Sequence, residues 1–146
     1  MDGSGSLRRI TGECEVTNYC TGLPNSTGVG ASISVSLSIT ENALTLEVDP
    51  AVGGQFGVFY YGPDPISQPF GDGLRCIGGD VYRLNPPQLV GGGGELTRHV
   101  DFTQPPASSG SAQILAGSTW NFQFGYRDLS GTGFNLSGAA ALVFCP

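Results

Sequence analysis

A chain of 146 residues with 24 glycines, 10 prolines, 39% apolar and only 12% charged residues has the length of one domain, burying roughly two-thirds of its unfolded surface, and a composition of turns and short strands. Its six basic residues are all arginine, which excludes a lysine Schiff base and a lysine-bearing phosphate loop. A formal charge of −6 excludes the broad positive surface expected of a nucleic-acid binder or of a protein that docks on anionic membranes.

Met1-Asp2-Gly3-Ser4-Gly5-Ser6 reads as a start followed by a linker, and residues 1–18 as an N-terminal arm ahead of one domain over 19–146. The arm lacks the hydrophobic core of a secretion signal, so a secreted parent would have had its leader or upstream domains removed. No apolar run reaches the roughly 18 residues of a membrane-spanning helix, so no membrane insertion is expected. After a coil to about residue 30, strands are predicted near 31–39, 43–49, 55–61, 74–84, 95–102, 112–115, 119–127 and 139–145. Ile33, Val35, Leu37 and Ile39 alternate with polar residues, as do Leu44, Leu46 and Val48. The clearest case is Thr119–Arg127, where Trp120, Phe122, Phe124 and Tyr126 occupy every second position and so share one face of a strand.

Breaks fall at Glu41-Asn42, at Val52-Gly53-Gly54 and along Gly91–Gly94. Thr103–Gly110 forms a second surface loop, its Pro105-Pro106 closing the strand that ends at Phe102 because proline cannot donate to a ladder. The glycine run has no following helix and no Gly-Lys-Ser/Thr ending, so it is a flexible connection and not a phosphate cradle. Seven or eight short strands at this spacing specify an all-β fold: an antiparallel β-sandwich, Ig-like or jelly-roll-like.

Four cysteines, Cys14, Cys20, Cys76 and Cys145, without a Cys-x-x-Cys pair and with His99 the only histidine, point to disulfides in an oxidising compartment and away from structural zinc. The preferred pairing is Cys14–Cys20, across an Asn18-Tyr19 turn, with Cys76–Cys145. The rival joins Cys20 to Cys145. Asn25 and Asn135 begin Asn-x-Ser/Thr sequons, silent in a bacterial chain and markers of surface loops in a eukaryotic one.

Catalytic candidates are sparse. There is no Gly-x-Ser-x-Gly, and His99 with Asp101 on one strand face could supply only the base half of a triad. Glu47 and Asp49 share a strand face as a pair of glycosidase carboxylates would. Both pairs read more simply as polar faces of strands, and no catalytic residue is assigned. Asp64, Asp72 and Asp80 lie beside glycine-rich turns, where calcium would find oxygen ligands, but their spacing matches no calcium-loop pattern; no cofactor is expected. A sugar-binding surface is the sharper alternative. Both faces of residues 55–61 become aromatic, so one pair, Phe59/Tyr61 or Phe56/Tyr60, is left outside the core. Phe59 and Tyr61, with Asn121, Gln123 and Arg127 from the polar face of the aromatic strand, form the candidate binding set.

The segments Phe56–Pro63, Pro69–Gly79, Thr119–Phe124 with Tyr126-Arg127-Asp128, Gly133–Ser137 and Phe144-Cys145-Pro146 resemble, in order and spacing, an uncharacterised β-domain common at the C-terminal ends of large secreted bacterial proteins. The resemblance covers about residues 19–146. It implies an extracellular or cell-surface module, appended to others, and no activity. Together these readings lead to an expected noncatalytic structural or adhesion module. Its partner would be a second copy of itself, through the strand edge at 31–39 or the N-terminal arm, or else an extracellular polysaccharide.

Overall fold

The computed structural model describes residues 12–38 and 43–145, with backbone alone at 12–14, 38 and 43. The predicted Glu41-Asn42 turn, Ile39, residues 1–6 and the Cys14 side chain therefore lie outside the described residues. Twelve strands run through the described residues: β1 (Gly12–Tyr19), β2 (Ser32–Ser38), β3 (Ala43–Asp49), β4 (Phe56–Gly62), β5 (Asp64–Phe70), β6 (Gly73–Gly78), β7 (Tyr82–Arg83), β8 (Gln88–Leu89), β9 (Leu96–Asp101), β10 (Thr119–Arg127), β11 (Phe134–Leu136) and β12 (Ala139–Cys145). All their pairings are antiparallel. None of the described helical residues forms a segment long and apolar enough to cross a membrane.

Three sheets stack as layers. The central one has the order β1-β12-β10-β4-β7, with β11 added to β10 and β8 to β4. A three-stranded sheet, β2-β3-β9, covers its inner face, and the β5-β6 hairpin covers part of its outer face. The inner interface is the expected sandwich core. Trp120, Phe122, Phe124 and Tyr126 of β10, with Phe59 and Tyr61 of β4, meet Ile33, Val35, Leu44, Leu46, Val48 and Val100 from the smaller sheet. The ladder sets Phe124 opposite Phe59 and Phe122 opposite Tyr61. Ring centroids stand 4.5 Å apart in the first pair and 5.5 Å apart in the second. Each such ring contributes about 1.5–3 kcal/mol by leaving water.

Where sequence and structure differ, the causes are local. β1 pairs with β12 along the sheet edge, so a strand runs through the boundary drawn at residues 18/19, and the segment 12–19 joins β12 and not the 31–39 edge. β5 reads as a turn because it carries Pro65 and Pro69; it forms as the outer strand of a two-stranded hairpin, where proline is tolerated. The single strand expected at 74–84 is broken by Gly78-Gly79, Gly79 having a φ of 75°, and resumes as β7. At 112–115 there is no strand but the end of a 3₁₀ turn, Gly110–Ala112.

The disulfide pairing is also corrected: Cys20 is bonded to Cys76, with Cα atoms 6.3 Å apart. An extended strand rises roughly 3.3 Å per residue, so six positions along β1 place Cys14 far beyond bonding reach of Cys20. Cys20, at a φ of 60°, turns the chain out of β1 toward the hairpin that carries Cys76. Cys145 is disulfide-bonded as well.

Neither sequon marks a surface loop. Asn25 and Asn135 are buried. The Asn25 amide donates to Pro50 O and to the Tyr126 hydroxyl, both at 3.0 Å, and Asn135 donates to Leu23 O and Pro24 O at 3.3 Å.

Candidate binding groove

Period two sends alternate residues of β4 and β10 away from the core: Phe56, Val58 and Tyr60 from the first, and Asn121, Gln123, Gly125 and Arg127 from the second. Along Trp120–Tyr126, however, both faces are buried, because the β5-β6 hairpin lies over the outer one. Gln123 holds it there. Its Nε2 donates to Leu74 O at 2.9 Å and Ser137 O at 2.7 Å, while its Oε1 accepts from Cys76 N at 3.0 Å and from the Tyr60 hydroxyl. Two donors and two acceptor positions are thus all used by one fully buried amide. The Tyr19 hydroxyl donates to Cys76 O at 2.8 Å, and the Cys20–Cys76 bond anchors the same strand. At the hairpin tip the Asp72 carboxylate accepts from Thr132 N at 3.0 and 3.1 Å.

Burial pushes the Tyr60 phenol well above its ordinary range, the nearby Arg75 guanidinium pulling it back only in part, and pushes Tyr19 up to about 12. Both phenols therefore remain protonated donors at neutral pH.

The hairpin covers only part of the outer face. Beside it lies an open-sided groove of about 670 Å³, within the size range of small-ligand sites. Its floor is the outer surface of β4 and β10 around Gly125. A methyl group built on Gly125 would stand 3.9 Å from both Phe134 Cζ and Tyr60 Cε1, an ordinary contact, so the glycine leaves real space. Phe70 of β5 and Phe56 of β4 line the groove and are 50% and 56% exposed, large apolar area that the fold itself does not use. Phe70 is braced edge-on by Phe134, ring centroids 5.2 Å apart. Arg75, Arg83 and Arg127 complete the lining, which contains no Asp or Glu among the described residues.

Of the expected binding residues only Arg127 reaches this groove. Phe59 and Tyr61 are core residues at 1% and 0% exposure; the pair displaced from the core is Phe56/Tyr60. Asn121 and Gln123 lie on the outer face but under cover, Asn121 donating to Gly62 O at 3.1 Å. Phe70, Arg75 and Arg83 had no local signal, since they come from separate segments that only the hairpin's placement brings together.

Neither the known protein families, nor the curated proteins, nor the solved structures contain a match to this chain.

The remaining candidates sit elsewhere. His99 Nδ1 is 3.0 Å from Thr45 Oγ1, while Asp101 accepts from Thr103 N at 2.8 Å and Thr103 Oγ1 at 2.6 Å, which lowers its carboxyl below the usual range. The two exposed side chains are thus engaged with different partners. Glu47 accepts from Thr97 Oγ1 at 3.2 Å on the same solvent-facing side of the small sheet. Asp64 and Asp80 are exposed, apart from the backbone-bound Asp72, and among the described residues no three of His, Cys, Asp and Glu gather as metal ligands would. A second depression, about 360 Å³ beside β1 and β2, has no charged side chain among the described residues of its lining.

Proposed function

We propose that this chain is a noncatalytic extracellular binding module that holds a carbohydrate in the groove on the outer sheet face. The observation that carries the reading is the pair of half-exposed rings, Phe56 and Phe70, lining a groove whose floor is opened by Gly125. An aromatic face takes the apolar C–H side of a sugar ring, and polar groups around it take the hydroxyls. The extracellular setting is supported by the disulfides and by the resemblance to the terminal β-domains of secreted bacterial proteins, where a module that retains its parent on a surface polymer would serve adhesion.

The test is retention of the oxidised protein on a panel of immobilised neutral and acidic polysaccharides, beside Phe70→Ala and Gly125→Val. Valine suits a strand and would fill the groove from its floor. The reading expects retention on at least one polymer, reduced roughly tenfold or more by either variant. A protein that no polymer retains, or one retained equally after Gly125→Val, would refute it.

Self-assembly is the second reading. β2 is an edge of the small sheet, and its solvent-facing Ser32, Ser34 and Ser36 put no charge on that edge to discourage a further strand. Light scattering over a concentration series decides it: growth in mass supports assembly, and a constant monomer mass removes it.

A further inference from the structure

The groove has a charge that the chain as a whole lacks. Four arginines are described, and Arg98 shows what such a side chain does when the fold uses it: its terminal nitrogens donate to Asn85 O at 3.0 Å and to Gln88 Oε1 at 3.5 Å. The other three all line the groove. Arg75 spends only its Nε, on Ile77 O at 3.0 Å, and the side chains of Arg83 and Arg127 make no hydrogen bond or ion pair with any described residue. In a chain with twelve acidic residues to six basic ones, a cavity with two unengaged guanidinium groups, a third that uses only its Nε, and no carboxylate among the described residues of its lining is a concentrated positive site. A guanidinium offers a planar fork of donors matched to a carboxylate, and it binds such a group best where apolar walls reduce competition from water.

Resting on the carbohydrate reading above, we infer that the groove's ligand is an acidic polysaccharide, its uronate carboxylates held by Arg75, Arg83 and Arg127 while Phe56 and Phe70 take the faces of its sugar rings. A uronic acid presents both chemistries on one residue, a ring with an apolar face and a carboxylate at its edge. The open side of the groove lets a polymer pass through, whereas an acyl chain with an anionic head would need an enclosed apolar tunnel. Charge complementarity also suits the groove: among the described residues three of the four arginines line it and the carboxylates lie outside it, so a polyanion is drawn toward it.

The experiment uses polygalacturonate, alginate and hyaluronate, each beside its carboxyl-reduced neutral form, with the wild-type protein, Arg83→Gln, Arg127→Gln and Gly125→Val. Both arginines are exposed, so the variants are expected to melt with the wild type, which thermal unfolding verifies. Retention on at least one acidic polymer, weakened about tenfold or more by carboxyl reduction, by either arginine substitution and by added salt, is the expected result. Equal binding of acidic and reduced forms, or binding confined to neutral polymers, would overturn the inference and leave the carbohydrate reading standing. Retention that falls with Gly125→Val but not with either arginine variant would do the same. Failure to bind any polymer of either panel would overturn both.

Discussion

On its inner side the large sheet is sealed by aromatic and aliphatic packing, whereas on its outer side the β5-β6 hairpin is held by one glutamine, the Tyr19 hydroxyl and a disulfide. The apolar cluster beneath the hairpin is small, Tyr60, Ile77 and Leu136 with Val81 and Phe134 against it. The difference teaches how a sheet can be covered on both faces and still keep an open site. Hydrophobic packing tends to spread over a face, because each further contact takes apolar surface out of water. Directional bonds from a few fixed points hold a cover in place without drawing it across the rest of the face, and Phe56 and Phe70 remain half-exposed beside it, along a groove that Gly125 also lines.

Substitutions on the two sides should therefore fail differently. Phe124→Ala empties a fully buried position between Phe59 and Tyr126, and is expected to cost about 3–5 kcal/mol by denaturant unfolding, with exchange protection lost throughout the molecule. A loss under about 1 kcal/mol would mean that the inner core is loosely packed and the contrast false. Gln123→Leu leaves Cys76 N–H, Leu74 O and Ser137 O without their partner in a buried place, and should cost about 2–4 kcal/mol. Its signature is amide exchange that quickens in β5 and β6 while β2, β3 and β9 keep their protection. Uniform quickening would show that the hairpin is part of the main cooperative unit.

The smallest effect is in alkaline solution. Burial raises Tyr19 from about 10 when unfolded to about 12 when folded, so its hydrogen bond to Cys76 O stabilises fully below pH 10 and is lost as pH rises through 12. Tyr19→Phe should cost about 1 kcal/mol at neutral pH and flatten this alkaline decline, read as the melting temperature between pH 9 and 12. An unchanged decline in the variant would assign it to other groups.

The inner face was legible in the sequence because its signal is local. Period-two runs such as Leu44/Leu46/Val48 and Trp120/Phe122/Phe124/Tyr126 state which side is apolar without reference to any other segment. The outer face has no such signal. Gln123 looks like a solvent residue until Tyr60, Leu74, Cys76 and Ser137 are brought around it from three other parts of the chain. β5 is hidden by its prolines, and the disulfide Cys20–Cys76 follows from where the hairpin lies, which spacing along the chain does not encode. The binding set shows the same division: which aromatic pair of β4 stays in the core depends on which face meets the smaller sheet, and a formal charge of −6 is a sum that conceals three arginines in one place. The strand fold expected from the sequence was found; its outermost layer was not foreseen.

The pairing of β1 with β12 sets how the domain would respond to being pulled. Gly12 lies opposite Cys145 and Tyr19 opposite Ala139, so tension applied at residues 12 and 145 acts at one end of the pair and opens it one rung at a time, the weak direction for a β ladder. That opening has a built-in stop. Cys145, at the loaded end, is held by a disulfide, and beyond the far end of β1 Cys20 is bonded through its sulfur to Cys76 on the hairpin. Peeling of β1 is thus bounded by two disulfides, one at Cys145 where the load enters and one at Cys20 where the strand ends.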